Sequence, residues 1–312
     1  MQIDGSVIVC DSIDEKGIEI LKKAGLAVDY LPEITNQELI SKVKDYDVIV
    51  VRSRTKITKE VIQNAKRAKI IARVGVGLDN IDTNEAQNNN IEVINAGEAS
   101  VNAVSELVLG LMFSLSRNIP AANNATKNGK WIKKDLIGVE LKGKYLGIIG
   151  LGKIGRNVAR LARGLRMNLI GYDVVPIDKS FVQEVSLITA DLKTLVESSD
   201  FITCHVPYTD QTKHLINKEM LSRMINSAFL INTSRGEVID EEALVDCLKN
   251  RRIGGAALDV YEVEPPTNKE LLELNNIICT PHIAAQTKEG QELASAVIGE
   301  KIIQRLLERQ IK

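Results

Sequence analysis

Short, nearly continuous apolar runs alternate with amphipathic segments along the whole chain. In the first third, residues 7–10, 28–31, 48–51, 70–72 and 93–94 are apolar and rich in β-branched side chains. Strands covered on both faces of a parallel sheet have this character, without the polar alternation of a half-exposed strand. Residues 15–24, 37–44 and 59–65 between them carry helical periodicity, so the segment predicts repeated βαβ units. Residues 100–117 follow as a long helix that is apolar on more than one face, buried either within the protein or against a second subunit. A second series predicts six strands, at 145–150, 168–172, 201–206, 228–232, 256–260 and 277–280, and residues 287–310 close the chain as one helix. The reading is therefore α/β, with two doubly wound parallel-sheet domains. The boundary is crossed twice, near residues 98 and 285, and a cleft between the domains is the expected ligand site.

The length of 312 residues suits two domains rather than one. A net charge of -1 gives no reason to expect a nucleic-acid or membrane-surface partner. No apolar stretch reaches the ~20 residues that span a bilayer, and the first residues lack the pattern of a secretion signal, so a cytoplasmic location is expected. The four cysteines form no CxxC pair; Cys10, Cys204 and Cys279 lie in apolar runs and read as buried free thiols.

Residues 150–155, GLGKIG, match GxGxxG, and their context strengthens the match: an apolar strand precedes them, a helix opens at Lys153, and Asp173 ends the next strand. Gly150 permits the tight turn, Gly152 lets the backbone approach a pyrophosphate, and Gly155 lets helix and strand pack closely. The helix N-terminus favours phosphate, and Asp173 suits ribose hydroxyls while repelling a 2′-phosphate, so NAD is the expected cofactor.

Three later strand ends carry reactive groups: Arg235 in INTSRG, Asp259 and Glu264 in ALDVYEVEP, and His282 in CTPHIAA. Ligands of a parallel sheet bind outside the carboxyl ends of its strands. Arg235 can hold a carboxylate bidentately, His282 can exchange a proton with a substrate oxygen, and Glu264 beside the imidazole would favour its protonated form. Each could instead be a solvated loop group. His205, ending FITCHVP, reads as a cofactor-side residue and His214 as a loop residue; no histidines have metal-ligand spacing, and no metal is expected.

In order, GLGKIG, YD, HVP, NTSRGEVID, ALDVYEVEP and PHIAAQT resemble the D-isomer-specific 2-hydroxyacid dehydrogenases over essentially the whole chain. The resemblance implies Arg235, Glu264 and His282 as the catalytic set and Asp259 as a nicotinamide-side contact. It implies NAD contacts at Ile154, Asp173, Pro207, Thr233 and Ser234; Lys153, Tyr172, Val206, Thr212 and Ala284 complete the candidates around that cofactor. It also implies a Rossmann NAD-binding domain, residues 99–285, inserted in a flavodoxin-like substrate domain, residues 1–98 and 286–312. Dimers formed through the cofactor domain are common in the family, so a homodimer is expected.

Arg52, Ser53, Arg73, Val74 and Gly75 are the substrate candidates of the first domain. Amides of Val74 and Gly75 suit a carboxylate, which leaves Arg52 and Arg73 for a second anionic group such as phosphate. Lys133 is a further cation, reaching over from a partner subunit. Residues 51–82 and NGKWIKKDLIG resemble family members that oxidise 3-phosphoglycerate at the head of serine biosynthesis. Reduction of glyoxylate or hydroxypyruvate is the alternative, in which Arg52 and Arg73 only pair with acids. A scaffold that senses NAD is the reading outside enzymology, and the complete Arg235, Glu264 and His282 set speaks against it. The long family members' regulatory domain is not expected here, because the sequence stops at Lys312.

Overall fold

The computed structural model describes residues 3–310, which divide into two compact units, residues 3–100 with 285–310 and residues 101–284. In the first unit, β1 (Ser6–Val9), β2 (Ala27–Tyr30), β3 (Val48–Val51), β4 (Ile70–Arg73) and β5 (Glu92–Asn95) form a parallel sheet of order β2-β1-β3-β4-β5. This is the flavodoxin-like order. Alternation along the strands explains the continuous apolar runs. Val7, Val9, Val48, Val50, Ile70 and Ala72 face one core, and Ile8, Cys10, Ile49, Val51 and Ile71 face the other.

The second core is closed by α2 (Asn36–Lys42), α3 (Lys59–Asn64) and α4 (Thr83–Asn88). The first is closed by α1 (Glu15–Lys23) and by α13 (Lys288–Gln310), through Leu21 on α1 and Ile298, Ile302 and Leu306 on α13. These two helices touch at Gly17, where a Cβ would stand 2.5 Å from the Ser295 carbonyl oxygen.

The second unit opens with α5 (Val101–Ser116) and α6 (Ile119–Lys127). Its sheet contains β6 (Tyr145–Ile149), β7 (Asn168–Tyr172), β8 (Leu187–Thr189), β9 (Phe201–Cys204), β10 (Phe229–Asn232), β11 (Gly255–Leu258) and β12 (Ile277–Cys279). The intervening helices are α7 (Lys153–Gly164), α8 (Lys179–Val185), α9 (Leu192–Ser198), α10 (Lys218–Arg223), α11 (Glu241–Lys249) and α12 (Lys269–Leu272). All pairings are parallel, in the order β12-β11-β10-β9-β6-β7-β8, which places β6 at the reversal of direction. That is the topological switch point of a dinucleotide-binding sheet.

Two expectations change, and of the two settings offered for the long apolar helix the structure shows the first. The sheet has seven strands, not six; β8 lies at the edge and buries only Leu187 of its three residues, so it lacks an apolar run. The apolar helix at 101–116 is covered within its own unit: Val108, Leu111, Met112 and Leu115 share a core with Leu146, Ile148 and Ala257. Cys10, Cys204 and Cys247 are buried free thiols, but Cys279 is exposed because its strand is the opposite sheet edge. Among the described residues, no helix is long and apolar enough to cross a membrane.

Candidate active site

The glycine turn sits at the carboxyl end of β6. Gly150 adopts φ +92, and a Cβ there would lie 2.6 Å from the His205 carbonyl oxygen, so the turn requires glycine twice over. A Cβ on Gly155 would stand 2.0 Å from the Gly150 carbonyl oxygen, which is how α7 comes to lie directly on β6. Gly152, by contrast, has no protein atom within 4 Å of that position. Its backbone therefore borders open space at the start of α7, a helix of 12 residues that begins with Lys153 and Ile154. The Asp173 carboxylate, just after Tyr172, accepts from the Leu151 N–H at 2.6 Å and the Val175 N–H at 3.0 Å, tying the two strand ends together.

On the neighbouring strand ends, Thr233 is buried and its Oγ1 has no hydrogen-bond partner among the described residues. A buried hydroxyl left without a partner is costly and points to a group from outside the chain. Together with the open face at Gly152 and the acid at Asp173, it fits the hydroxyl and phosphate groups of a dinucleotide. The loop after β9 is folded on itself, with Thr212 Oγ1 donating to the Pro207 carbonyl at 2.6 Å, and Val206 packs against the core of the same unit.

The His205 ring nitrogen Nε2 meets Thr203 Oγ1 at 3.0 Å, and burial pushes its pKa from 6.5 down to about 3. Between those values the unfolded chain binds a proton that the folded chain refuses, so acid weakens the fold across that window. The urea midpoint should therefore fall between about pH 7 and about pH 5, and His205→Gln should flatten that fall. Urea titrations at both pH values check this; an equal fall in the variant would remove His205 as the cause.

The chemical groups are held by two polar anchors. Asn232 is fully buried, accepts from Ser234 N–H at 3.0 Å and Ser234 Oγ at 2.8 Å, and donates to the Arg235 carbonyl at 2.8 Å. It thus shapes the turn that carries Arg235. Asp259, also fully buried, accepts from Thr280 Oγ1 at 2.6 Å, Ile283 N–H at 2.8 Å and Ala284 N–H at 2.8 Å. The loop so gripped carries His282, whose own N–H donates to the Asp259 carbonyl at 2.9 Å. His282 has φ +52, unusual for a residue with a side chain, and the grip on either side over-determines it. Its Nδ1 lies 2.8 Å from Glu264 Oε2, while Glu264 Oε1 accepts from the Tyr261 N–H at 3.3 Å. An imidazole oriented by a carboxylate, with Nε2 left to face a substrate, is equipped for proton transfer. Asp259 and Asn232 do their work through the backbone. Asp259, the expected nicotinamide-side contact, also holds the His282 loop with its carboxylate.

In the first unit, Arg52 donates to Gln286 Oε1 at 2.8 Å and Gln291 Oε1 at 3.4 Å, and Arg73 Nε donates to the Arg52 carbonyl at 3.1 Å. Arg52, Val74, Gly75, Ser100 and Gln291 line one cavity, and Ser100 Oγ is buried without a hydrogen-bond partner among the described residues. The Val74 N–H is committed to the Val51 carbonyl at 2.9 Å, so Val74 supplies an apolar wall and not the amide expected of it. Asp11, buried beneath this loop, accepts from the N–H groups of Arg52 and Thr55 and from Thr55 Oγ1, which fixes Ser53 at the loop's exposed crest. Asp11, Gln286 and Gln291 had no pattern that marked them, since each acts across more than 40 residues of sequence. Lys133 is exposed in a short turn, Lys133–Asp135, of the second unit.

A parallel sheet reversing at a glycine turn, with an arginine, a glutamate and a histidine on later strand ends, defines a dinucleotide-binding α/β protein. Residues 109–284 match the family model described as the NAD binding domain of D-isomer specific 2-hydroxyacid dehydrogenase. The chain is 45% identical over 297 residues to a D-3-phosphoglycerate dehydrogenase of Methanocaldococcus jannaschii, covering 95% of this chain and 56% of that protein. It is 42% identical over 303 residues to a hydroxypyruvate reductase of Thermotoga maritima, covering 96% and 98%. A glyoxylate reductase structure from Paecilomyes thermophila superimposes with a TM-score of 0.89 at 26% identity, over 97% and 95% of the two chains. The chain belongs to the D-isomer-specific 2-hydroxyacid dehydrogenase family and carries its NAD-binding domain. It spans about half the length of the D-3-phosphoglycerate dehydrogenases it matches.

Proposed function

We propose that the chain oxidises D-3-phosphoglycerate to 3-phosphohydroxypyruvate with NAD, an entry step to serine. The observation that carries the reading is the His282 Nδ1–Glu264 Oε2 contact of 2.8 Å on a loop bolted down by Asp259. Bound at the Gly150–Gly155 turn, NAD supplies the hydride acceptor. Gly150, Gly152, Lys153, Ile154, Gly155, Tyr172, Asp173, His205, Val206, Pro207, Thr212, Thr233, Ser234, Asp259 and Ala284 are assigned to its surroundings. Arg235 holds the substrate carboxylate and polarises the adjacent carbon–oxygen bond. His282 Nε2 removes the hydroxyl proton during oxidation and returns it in the reverse direction, while Glu264 stabilises the imidazolium so formed.

Arg52 and Arg73, with Ser53 and the Gly75 backbone, are assigned to the anionic groups of the substrate. Arg52 supports the phosphate assignment because its guanidinium is braced by two neutral amides and, among the described residues, by no acid, and the relatives named above include a D-3-phosphoglycerate dehydrogenase. The second reading is reduction of hydroxypyruvate or glyoxylate, favoured by the relative from Thermotoga maritima that the chain covers almost completely.

We assign a homodimer as the working form. Trp131, Ile137 and Val139 are exposed apolar residues near Lys133 in sequence, with Trp131 83% and Ile137 86% exposed. Buried free thiols at Cys10, Cys204 and Cys247 suit the cytoplasm.

Steady-state assays with NAD and NADH against 3-phosphoglycerate, hydroxypyruvate, glyoxylate and lactate test the reading. The expected result is highest kcat/KM on the phosphorylated acid, with Arg52→Ala losing about 10- to 100-fold on it, the worth of one charge-assisted pair. An equal loss on the unphosphorylated acids would reject phosphate recognition by Arg52 and favour the second reading.

A further inference from the structure

One group of polar side chains in the second unit takes no part in the reaction as assigned. Glu241 opens α11, yet that helix is already capped by Asp240, whose side chain accepts from the Ala243 N–H. Glu241 is instead turned inward, only 9% exposed. Its Oε1 accepts from the Glu262 N–H at 2.8 Å, and Glu262 Oε1 accepts from the Glu241 N–H at 3.1 Å. The two residues clasp one another through both backbones. Glu262 Oε1 also meets His214 Nε2 at 3.0 Å, and the His214 N–H donates to the Glu237 carbonyl at 2.7 Å. Tyr261, Cys279 and Asp259 are the other titratable groups around the clasp.

The clasp is costly. Burial pushes the Glu241 carboxyl up, the Glu262 N–H pulls it back, and the Glu262 charge raises it again. Two acids of one sign are brought together, Glu262 on the first amide of α11 and Glu241 on the Glu262 N–H, and the pair imposes a fixed geometry. The geometry imposed here is a junction between two segments. A Cβ on Gly236 would lie 1.8 Å from the Tyr261 carbonyl carbon and 2.0 Å from its oxygen, so the Arg235 turn presses backbone to backbone on the Glu264 segment. The clasp bonds the same two segments a few residues on.

We propose that Glu241 and Glu262 are positioning residues: their clasp locks the Arg235 turn to the Glu264 segment, so that the carboxylate clamp and the acid that steers His282 keep one spacing. The proposal rests on the roles given above to Arg235, Glu264 and His282. A loosened clasp lets Glu264 drift from the imidazole, and misplacement by about 1 Å at a reacting centre can cost about 100-fold in rate.

The test is steady-state kinetics on the acid that the wild-type enzyme turns over best. Glu262→Ala should lower kcat by about 10- to 100-fold. It should leave the NADH dissociation constant within about two-fold, because no cofactor group is touched. The KM for NAD should likewise stay within about two-fold, so that the loss falls on kcat. Glu262→Gln keeps an acceptor for the Glu241 N–H and should recover most of kcat. If Glu262→Ala does not fold, Glu241→Asp decides: one methylene shorter, it cannot reach the Glu262 N–H, and the same loss of kcat is expected. Wild-type kcat in whichever variant folds would overturn the proposal, as would a loss that Glu262→Gln does not restore. An enzyme indifferent to His282→Ala, or inactive on every acid, would be a failure of the functional assignment itself and is a separate outcome.

Discussion

His282→Ala should lower kcat by about 100- to 10,000-fold while leaving NADH binding nearly unchanged, because a positioned proton donor is worth that much and the side chain contributes little else. The His282 side chain is about half exposed and bonded to Glu264 alone among the contacts recorded for its ring, so its removal opens no core cavity. Unfolding midpoints should accordingly stay within ~0.5 kcal/mol of wild type. Glu264→Gln is the graded companion. It keeps an acceptor near Nδ1 but removes the charge that stabilises the imidazolium, so kcat should fall by about 10- to 100-fold. Rate measurements on all three proteins settle the matter. A His282→Ala enzyme with more than a tenth of wild-type kcat would end the proton-transfer assignment.

A second large effect is expected at the glycine turn, and two neighbouring substitutions should separate its causes. In Gly155→Ala the new methyl meets the Gly150 carbonyl oxygen, a backbone atom that cannot swing aside. Helix α7 must lift from β6, at a cost of about 1–3 kcal/mol, and NADH affinity should drop about 10- to 100-fold as the phosphate-binding amides move with it. In Gly152→Ala the methyl enters open space in the protein itself, so the unfolding midpoint should hold while NADH affinity still falls. Fluorescence titration with NADH, paired with urea unfolding, reads both quantities. Wild-type affinity in Gly152→Ala would show that no ligand backbone approaches that face.

The two sheets were legible because buried parallel strands write themselves as apolar runs, and β3 at Val48–Val51 shows every residue buried. The edge strand β8 escaped for the converse reason: exposed on most of its surface, it is indistinguishable from a loop in composition. The reactive groups Arg235, Glu264 and His282 could be picked out because their residue types follow strands directly. The residues that hold them could not. Asn232 is one more polar residue at the end of a strand until its side chain is seen bonded on three counts. Asp259 reads as a ligand contact, and nothing in the sequence shows that its carboxylate also accepts from residues 280, 283 and 284. Glu241 and Glu262 look like solvated acids in sequence, and only the fold brings position 241 against position 262. Side chains that act on distant backbone leave no periodic trace.

The packing of α13 on α1 bears on the order in which the molecule is assembled. One wall of the first unit's core, Ile298, Ile302 and Leu306, is translated just over two hundred residues after the sheet it covers. The second unit is contiguous and can close as soon as it clears the ribosome, whereas the first sheet waits with that face covered by α1 alone. During synthesis, then, the part made first is finished last.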